Sequence, residues 1–336
     1  MADALLSPAV GGTMIAVSAG ALALAVKKSG ASGAMDEKKV PLMGIMGAFV
    51  FAAQMINFTI PATGSSGHIG GGILLAALLG PWAALITLAA VLLIQCLFFA
   101  DGGLLAYGCN VFNMGVLSSF AAYFIIFRPL TGGKKLSAGR LTLASLLAVI
   151  GGLQLGAFSV VVETTLSGVT ELPFASFALL MQPIHLAIGA VEGVITAAVL
   201  VFVYRLRPEI IENAAERIPR TVPIKTVLAA FALLAAITGG LFSLFASAWP
   251  DGLEWSMENV AGTAELERES AVHSAAGDLV NASAFMPDYA FKGEAADNPA
   301  GTAAAGLAGS VITILLAGGA GLLIASLKKR RGRTAL

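Results

Sequence analysis

One stretch of the 336-residue chain restricts its possible folds more than any other: between Pro41 and Phe127 the only formally charged side chain is Asp101. Charged residues make up 12% of the chain and hydrophobic residues 57%, whereas a soluble domain carries roughly 25% charged residues. Several apolar runs reach the roughly 20 residues with which a helix spans a bilayer. The sequence therefore predicts an all-α polytopic membrane protein and excludes a soluble enzyme, a fibrous protein and a disordered chain.

The total charge and the cysteines restrict the partners and the fold further. Lys plus Arg and Asp plus Glu number 20 each, so we expect no nucleic-acid partner. Cys96 and Cys109 both lie in the apolar region, where they cannot form a disulfide that stabilises an extramembrane domain. No basic segment precedes the first apolar run, so we expect no cleaved signal peptide.

Nine apolar segments follow one another along the chain, and a proline divides the longest apolar run. Gly80 and Pro81 separate a short third segment from a fourth of full length, because proline cannot continue the hydrogen bonding of a helix interior. The short segment reaches only about 17 Å at 1.5 Å per residue, so it either crosses among packed neighbours or re-enters. The predicted segments are about 5–26, 41–60, 69–79, 82–99, 104–127, 141–162, 177–204, 224–248 and 302–327.

Basic residues predict the direction of these segments. They follow the first, fifth, seventh and ninth segments, as they do in the short cytoplasmic loops of membrane proteins. The loop at residues 249–301 instead contains ten acidic residues against two basic ones, a net charge of −8, and the tail at 328–333 has a net charge of +5. We therefore expect the N-terminus and loop 249–301 outside, and loop 128–140 and the C-terminus in the cytoplasm.

A polar stretch divides the chain into two unlike domains. We expect a seven-segment helical bundle at residues 1–207, a cytoplasmic linker at 208–223 and a two-helix hairpin with an external loop at 224–336. No run of the form Gly-x-x-x-x-Gly-Lys-Ser/Thr occurs. The energy for any active transport would therefore come from a partner or from an ion gradient.

Polar side chains within the apolar segments gather on the predicted external side. Such side chains are costly in a bilayer, and they usually face the interior of a bundle or a cavity. We expect Glu163 and Glu171 in the third external loop. The whole set comprises Ser65, Ser66, His68, Asp101, Asn110, Asn113, Glu163, Glu171, His185 and Glu192.

His68 stands in a glycine-rich loop that has more than one interpretation. Histidine is the commonest nitrogen ligand of late divalent transition metals, and glycines would let main-chain nitrogens approach the same ion. Alternatively, Gly70, Gly71 and Gly72 only allow helices to pack closely. A phosphate-binding loop is disfavoured, because no Lys or Arg follows.

The other candidate residues also have alternative interpretations. His185 and Glu192 are seven residues apart on one predicted helix, so they face the same way. They form either a proton or ion relay or a packing pair that bonds to neighbouring helices. Cys109 is either a soft metal ligand or a small hydrophobic residue, the usual role of a lone membrane cysteine. His273 lies in the acidic loop, where we expect it to be exposed to solvent.

In combination, these motifs resemble the CbiM/NikM family, the substrate-binding membrane components of energy-coupling-factor transporters for cobalt or nickel. The resemblance covers about residues 1–207. It rests on residues 3–8 (DALLSP), 64–68 (GSSGH), 101–103 (DGG), 108–114 (GCNVFNM) and the pair His185 and Glu192.

The second domain resembles a different component of the same transporters. Its motif Pro250, Asp251, Gly252, Leu253 and Glu254 is similar to the signature of the PDGLE domain, the CbiN/NikN-type accessory subunit. That subunit is a two-helix hairpin with an external loop. The resemblance therefore implies two fused components, and we expect Asp251, Glu254 and Trp255 to dock the loop onto the first domain.

The resemblance implies a square-planar metal site, formed by the N-terminal amine, the amide and imidazole nitrogens of a histidine at position two, and a loop histidine. The loop histidine corresponds to His68 and the amine to Met1, but residue 2 is Ala. Two explanations are open: the site differs here, or the natural chain begins two residues earlier, because relatives often carry Met-His before such a Met-Ala-Asp segment. The residues around the site or its pathway would be Ser65, Ser66, Asp101, Asn110, Asn113, His185 and Glu192.

The resemblance also implies the function and its partners. The substrate would be Co²⁺ or Ni²⁺, carried inward without a bound organic cofactor, across the cell or inner membrane of a bacterium or archaeon. A transmembrane coupling subunit and cytoplasmic ATPase subunits would be the partners. The alternative is a secondary metal transporter driven by an ion gradient. A membrane metalloenzyme is disfavoured, because no HExxH-like cluster occurs, so we expect no catalytic residues.

Overall fold

The fold is almost entirely helical, as the apolar runs predict. The computed structural model describes residues 1–31, 40–132, 136–212, 223–263, 266, 270–294 and 298–333. The loop lysines Lys38, Lys39, Lys134 and Lys135, which contribute to the predicted topology, lie outside these residues. Within the described residues, seven helices are long and apolar enough to cross a membrane, which confirms the class of polytopic membrane protein.

Among the described residues, the first domain and the start of the expected linker form nine α-helices and a long π-helical segment, Val111–Phe127, that joins α5 to α6 without interruption. The wider winding is seen at its end, where the Arg128 N–H donates to the Tyr123 carbonyl five residues earlier. The helices are α1 (Pro8–Ala31), α2 (Val40–Gln54), α3 (Gly72–Leu79), α4 (Pro81–Phe99), α5 (Tyr107–Asn110), α6 (Arg128–Thr131), α7 (Ala138–Ser167), α8 (Phe174–Leu206) and α9 (Pro208–Glu212).

The second domain is a pair of long helices with two shorter helices between them. The long helices are α10 (Ile224–Gly240) and α13 (Pro299–Arg333), and the shorter ones are α11 (Gly252–Ala261) and α12 (Ala271–Ser283). α10 and α13 pack against α2, whereas α11 packs against α8 and α12 against α4. α10 and α13 also pack against each other. Small residues allow their close approach: a Cβ at Gly306 would lie 2.5 Å from the Gly239 carbonyl oxygen.

Two of the predicted segments are too short to span a bilayer alone. α2 has 15 residues and α3 has eight, so they measure about 22 and 12 Å, against about 30 Å of hydrocarbon core. Every residue of α3 is buried, because α4, α7, α8 and the π-helical segment enclose it. The predicted break is confirmed at Gly80, whose φ of 84° interrupts the helix just before Pro81.

The second predicted segment, 41–60, is wrong at its end. α2 stops at Gln54, and β1 (Phe58–Ile60) then pairs antiparallel with β2 (Ser65–Gly67). Thr59 lies opposite Ser66 in this hairpin. The hairpin leads directly into His68, so it presents the glycine-rich loop to the rest of the bundle.

Candidate functional site

A cavity of about 140 Å³ lies between the two domains and collects most of the predicted site residues. Its walls come from the chain after β2, the N-terminus, the π-helical segment, α7, α8 and the start of α11. The predicted residues on its surface are Met1, His68, Asn110, Asn113, His185, Glu192, Asp251, Gly252 and Leu253.

The loop that carries His68 fits tightly against neighbouring helices because its glycines have no side chains. A Cβ at Gly67 would lie 2.5 Å from the Ile188 side chain, and one at Gly72 would lie 2.5 Å from Ser118 Cβ. Gly71 adopts a φ of +78°, which favours glycine. The close packing predicted for these glycines is therefore present, and it brings His68 to the cavity wall.

The backbone that follows His68 is held by side chains from two helices. The Gly71 N–H donates to Glu192 Oε1 at 2.9 Å, and Gln54 Nε2 donates to the Gly70 carbonyl at 3.1 Å. Glu192 is only 1% exposed. Its carboxylate bonds to a neighbouring loop, as the packing interpretation of this residue predicts.

The N-terminal segment is anchored beside the same cavity. Asn110 Nδ2 donates to the Met1 carbonyl at 3.1 Å, and the Ala106 N–H donates to Asp3 Oδ1 at 2.7 Å. Gly103 adopts a φ of +90°, and a Cβ there would lie 2.3 Å from the Asp3 carboxyl carbon. The glycines after Asp101 therefore make room for this segment, which places Met1 on the cavity wall together with His68.

His185 lines the cavity, and only one of its ring nitrogens has a hydrogen-bond partner among the described residues. Its Nδ1 lies 2.8 Å from the Met181 carbonyl, and because a carbonyl only accepts, Nδ1 carries the hydrogen in the neutral ring. The Nε2 lone pair is then available to a ligand. His185 and Glu192 both lie within electrostatic range of His68, and they are two helical turns apart on α8.

A second buried carboxylate lies behind the cavity wall. Glu163 is 4% exposed and belongs to α7, so its predicted place in the third external loop is wrong: the helix continues to Ser167. Asn113 Nδ2 donates to Glu163 Oε2 at 2.7 Å. Asn113 Oδ1 has no hydrogen-bond partner among the described residues, and Asn113 itself lines the cavity.

The PDGLE segment of the second domain forms part of the cavity wall. The Ser66 N–H donates to the Pro250 carbonyl at 2.8 Å, and the Ser66 hydroxyl donates to the Trp249 carbonyl at 2.7 Å. Trp255 Nε1 donates to the Thr63 carbonyl at 2.9 Å. The expected docking by Trp255 is therefore present, and the hairpin of the first domain supplies the partner groups.

Each residue of the PDGLE motif has a distinct role in this contact. Asp251 Oδ1 accepts the N–H groups of Leu253 and Glu254 at 2.8 and 2.9 Å, and Glu254 Oε2 accepts the Asp251 N–H at 3.1 Å. These bonds form a capping box that starts α11. The carboxylates of Asp251 and Glu254 therefore shape the start of α11 instead of docking the loop, as had been expected of them. The Pro250 carbonyl bonds to β2, and residues 251–253 face the cavity.

Five predicted site residues do not lie on the cavity surface. Ser65 and Ser66 bond to the carbonyls of Trp249 and Pro250. Asp101 accepts a hydrogen bond from Tyr289. The other two residues outside the cavity surface are Pro250 and Glu254.

The expected exposure of His273 is wrong. His273 is 8% exposed, and its Nε2 lies 3.0 Å from the Leu6 carbonyl and 3.2 Å from the Asp3 carbonyl. Its Nδ1 lies 2.6 Å from the Ser270 hydroxyl. The acidic loop thus forms α12, which packs this imidazole against the N-terminal segment instead of exposing it to solvent.

The donor chemistry of the cavity is rich in nitrogen. The described part of the chain contains no group of three or more His, Cys, Asp or Glu side chains suited to a metal ion. A metal here would therefore need main-chain nitrogens or the N-terminal amine in addition to imidazole. Gln54 was missed as a functional residue, although an amide inside an apolar helix is the signal that could have revealed it.

Comparison with known proteins identifies both domains. Residues 1–210 match the CbiM family, described as "Cobalt uptake substrate-specific transmembrane region", and residues 225–326 match the PDGLE domain. The chain is 35% identical to the "Putative fused nickel transport protein NikMN" of Archaeoglobus fulgidus, over 83% of this chain and 85% of that protein. It is 31% identical to the "Cobalt transport protein CbiM" of Geobacter sulfurreducens, over 79% of this chain and 78% of that protein.

Solved structures agree with this comparison. A crystal structure of a transition metal transporter has a TM-score of 0.52 and 33% identity, covering 62% of this chain and 99% of that one. A truncated transition metal transporter has a TM-score of 0.53 and 32% identity, covering 61% and 98%. The family match extends over more than half of the chain, and the PDGLE match follows it. The chain therefore belongs to the CbiM family and carries a PDGLE domain after its CbiM region.

Proposed function

We propose that this protein is the substrate-capture component of an ATP-driven importer for Co²⁺ or Ni²⁺. The observation that carries the proposal is that His68 and Met1 line one cavity together with residues 251–253 of the PDGLE segment. The names of the relatives, which refer to nickel and cobalt transport, support the same substrates.

The donor groups favour late transition metals over hard cations. Imidazole and backbone nitrogens suit Ni²⁺ and Co²⁺, whereas Mg²⁺ and Ca²⁺ prefer oxygen ligands. The buried carboxylate of Glu192 already accepts a backbone hydrogen bond at one oxygen, and Asp251 caps α11. The nitrogen donors at the cavity are the imidazoles of His68 and His185, with the amine of Met1 and nearby main-chain nitrogens. The second oxygen of Glu192 has no hydrogen-bond partner among the described residues.

Energy from ATP would require partners, because the chain has no Walker A motif of its own. We propose a transmembrane coupling subunit and cytoplasmic ATPase subunits in these roles. No organic cofactor and no catalytic residue enter this proposal. The cavity would load the ion on the outer side of a bacterial or archaeal cell membrane and release it inward.

Uptake of radioactive Ni²⁺ and Co²⁺ by cells tests the proposal. Cells that express this chain with the coupling subunit and the ATPases should accumulate metal. Cells whose ATPase lacks its Walker A lysine should not accumulate it, and an ionophore that collapses the ion gradient should leave the initial rate unchanged. Uptake that persists without any ATPase and stops with the ionophore would instead indicate the ion-gradient alternative.

A further inference from the structure

Two buried amide side chains connect the loop after His68 with the second domain. Gln54 in α2 is 4% exposed and Gln95 in α4 is 7% exposed. Gln54 Nε2 donates to the Gly70 carbonyl at 3.1 Å, and Gln95 Nε2 donates to Gln54 Oε1 at 2.9 Å. An amide in an apolar bundle is costly unless it is hydrogen-bonded, so these bonds hold the two side chains in one arrangement.

The orientation of both amide groups follows from their hydrogen-bond partners. The Gly70 carbonyl only accepts, so Gln54 presents its NH₂ group there and turns its oxygen towards Gln95. Gln95 must then present its own NH₂ group to Gln54. The hydroxyl of Tyr289, in the second domain, lies close to Gln95. That hydroxyl in turn donates to Asp101 Oδ2.

Tyr289 belongs to the second domain, and its ring packs against the first domain. Its ring stacks on Phe99 with 5.0 Å between the ring centroids. Burial and the nearby Asp101 carboxylate raise the pKa of Tyr289 well above its usual value, so the hydroxyl keeps the hydrogen that it donates to Asp101. The neighbouring Ser283 hydroxyl donates to the Leu97 carbonyl at 2.7 Å, which fixes the same end of α4.

We propose that Gln54 and Gln95 are positioning residues of the metal site: they hold the Gly70 carbonyl and thereby fix His68, while Tyr289 orients the far end of the pair. The inference rests on the proposed function, because the fixed imidazole matters most when it binds a metal. Neither glutamine lines the cavity, so both act through the loop and not on the ion.

The expected effect is that of an outer-shell partner of a metal ligand. Removal of such a partner typically weakens metal affinity 10- to 100-fold. Glu192 holds the Gly71 N–H from the opposite side, so loss of Gln54 should loosen the loop without unfolding it. Because Gln54 and Gln95 form one chain of bonds, their effects should not add.

Four variants test the inference: Gln54→Leu, Gln95→Leu, the double variant and Tyr289→Phe. Gln154→Leu is the matched control for the amides, since Gln154 Nε2 bonds to the Gln182 carbonyl between α7 and α8. Tyr107→Phe is the matched control for the phenol, since its hydroxyl bonds to the Ala89 carbonyl. The readouts are Ni²⁺ affinity, the ligand-field absorption of bound Ni²⁺, the unfolding temperature, and amide hydrogen exchange of residues 64–72 without metal.

We expect Gln54→Leu to weaken Ni²⁺ binding 10- to 100-fold, to shift the absorption bands and to speed hydrogen exchange in residues 64–72. The double variant should resemble the single one, Tyr289→Phe should have a smaller effect, and the controls none. Affinity, absorption and exchange equal to those of the controls would overturn the inference. If the unchanged chain binds no Ni²⁺, the proposed function fails, and faster exchange in the variants alone still decides whether the glutamines position the loop.

Discussion

Gly252 packs against α8 more closely than a residue with a side chain could. A Cβ there would lie 2.8 Å from Ile188 Cδ1 and 3.0 Å from His185 Cε1. We therefore expect Gly252→Ala to push the PDGLE segment away from the cavity and to lower the metal uptake of cells at least tenfold. Gly277→Ala is the control: it lies in open space within α12, so it should leave uptake unchanged and add about 0.5–1 kcal/mol of stability. Equal uptake by the two variants would contradict this account of Gly252.

Met1 lies at the cavity, so a change at the N-terminus reaches the site directly. Asn110 holds the Met1 carbonyl, and Ala2 offers no imidazole. We expect a chain extended by Met-His before Met1 to bind Ni²⁺ at least tenfold more tightly, because it adds an imidazole donor close to His68. Titration calorimetry of both forms measures this, with Met-Ala as the control extension. An equal gain from Met-Ala would show that the added imidazole is not a ligand.

The sequence shows which polar residues lie within apolar segments, but it does not show their hydrogen-bond partners. His68, His185 and Glu192 were recognised because ionisable groups are rare in such segments, and all three line the cavity. The burial of His273 was not predictable, because its partners are the backbone carbonyls of Asp3 and Leu6. Backbone carbonyls are the same at every residue, so the sequence does not indicate which of them a side chain contacts in the folded chain.

At the scale of elements, α12 holds the N-terminal segment through His273. The imidazole spans from Ser270 to the carbonyls of Asp3 and Leu6. His273→Leu removes these bonds but keeps a buried side chain, so we expect hydrogen exchange in residues 3–6 to speed up. Ser283→Ala, which removes a bond from α12 to α4, should leave those amides unchanged. Unchanged exchange in His273→Leu would mean that other contacts suffice to hold the segment.

The helices were predictable where length and apolarity mark them, and their ends were not. The break at Pro81 was visible because proline lacks an N–H. The end of α2 at Gln54 was not visible, because the three-residue strands after it are too short to show a period. α7 runs from Ala138 to Ser167, beyond the predicted 141–162. Its added turn is buried within the first domain, where Glu163 accepts a hydrogen bond from Asn113.

At the scale of the whole molecule, the proposed orientation places α11 outside the cell. Both native cysteines are buried, so a single introduced cysteine can be labelled selectively. We expect Glu258→Cys in α11 to react with an impermeant maleimide in intact cells, because Glu258 is exposed. Gly132→Cys, exposed at the end of α6, should react only after the cells are opened. Labelling of Gly132→Cys in intact cells would refute the orientation.

The two domains meet at the cavity, so the proposed capture of the metal would depend on a site to which both contribute residues. Met1 and His68 come from the first domain, and residues 251–253 come from the second. Family resemblance pointed to both parts, but it did not reveal that the PDGLE motif itself forms a wall of the cavity. That contact arises from the backbone bonds between β2 and Pro250, which only the folded chain brings together.

Calorimetric titration of Ni²⁺ into the chain and into His68→Ala tests the central claim most directly. We expect His68→Ala to lose at least 100-fold in affinity, about 2.8 kcal/mol, both in the chain as it stands and in the form extended by Met-His. Gln154→Leu, which breaks a hydrogen bond between two helices, should bind like the parent. Binding of the parent should also weaken as the pH falls, because a proton competes with the metal for imidazole. Equal affinity of His68→Ala and its parent in both forms would contradict the account.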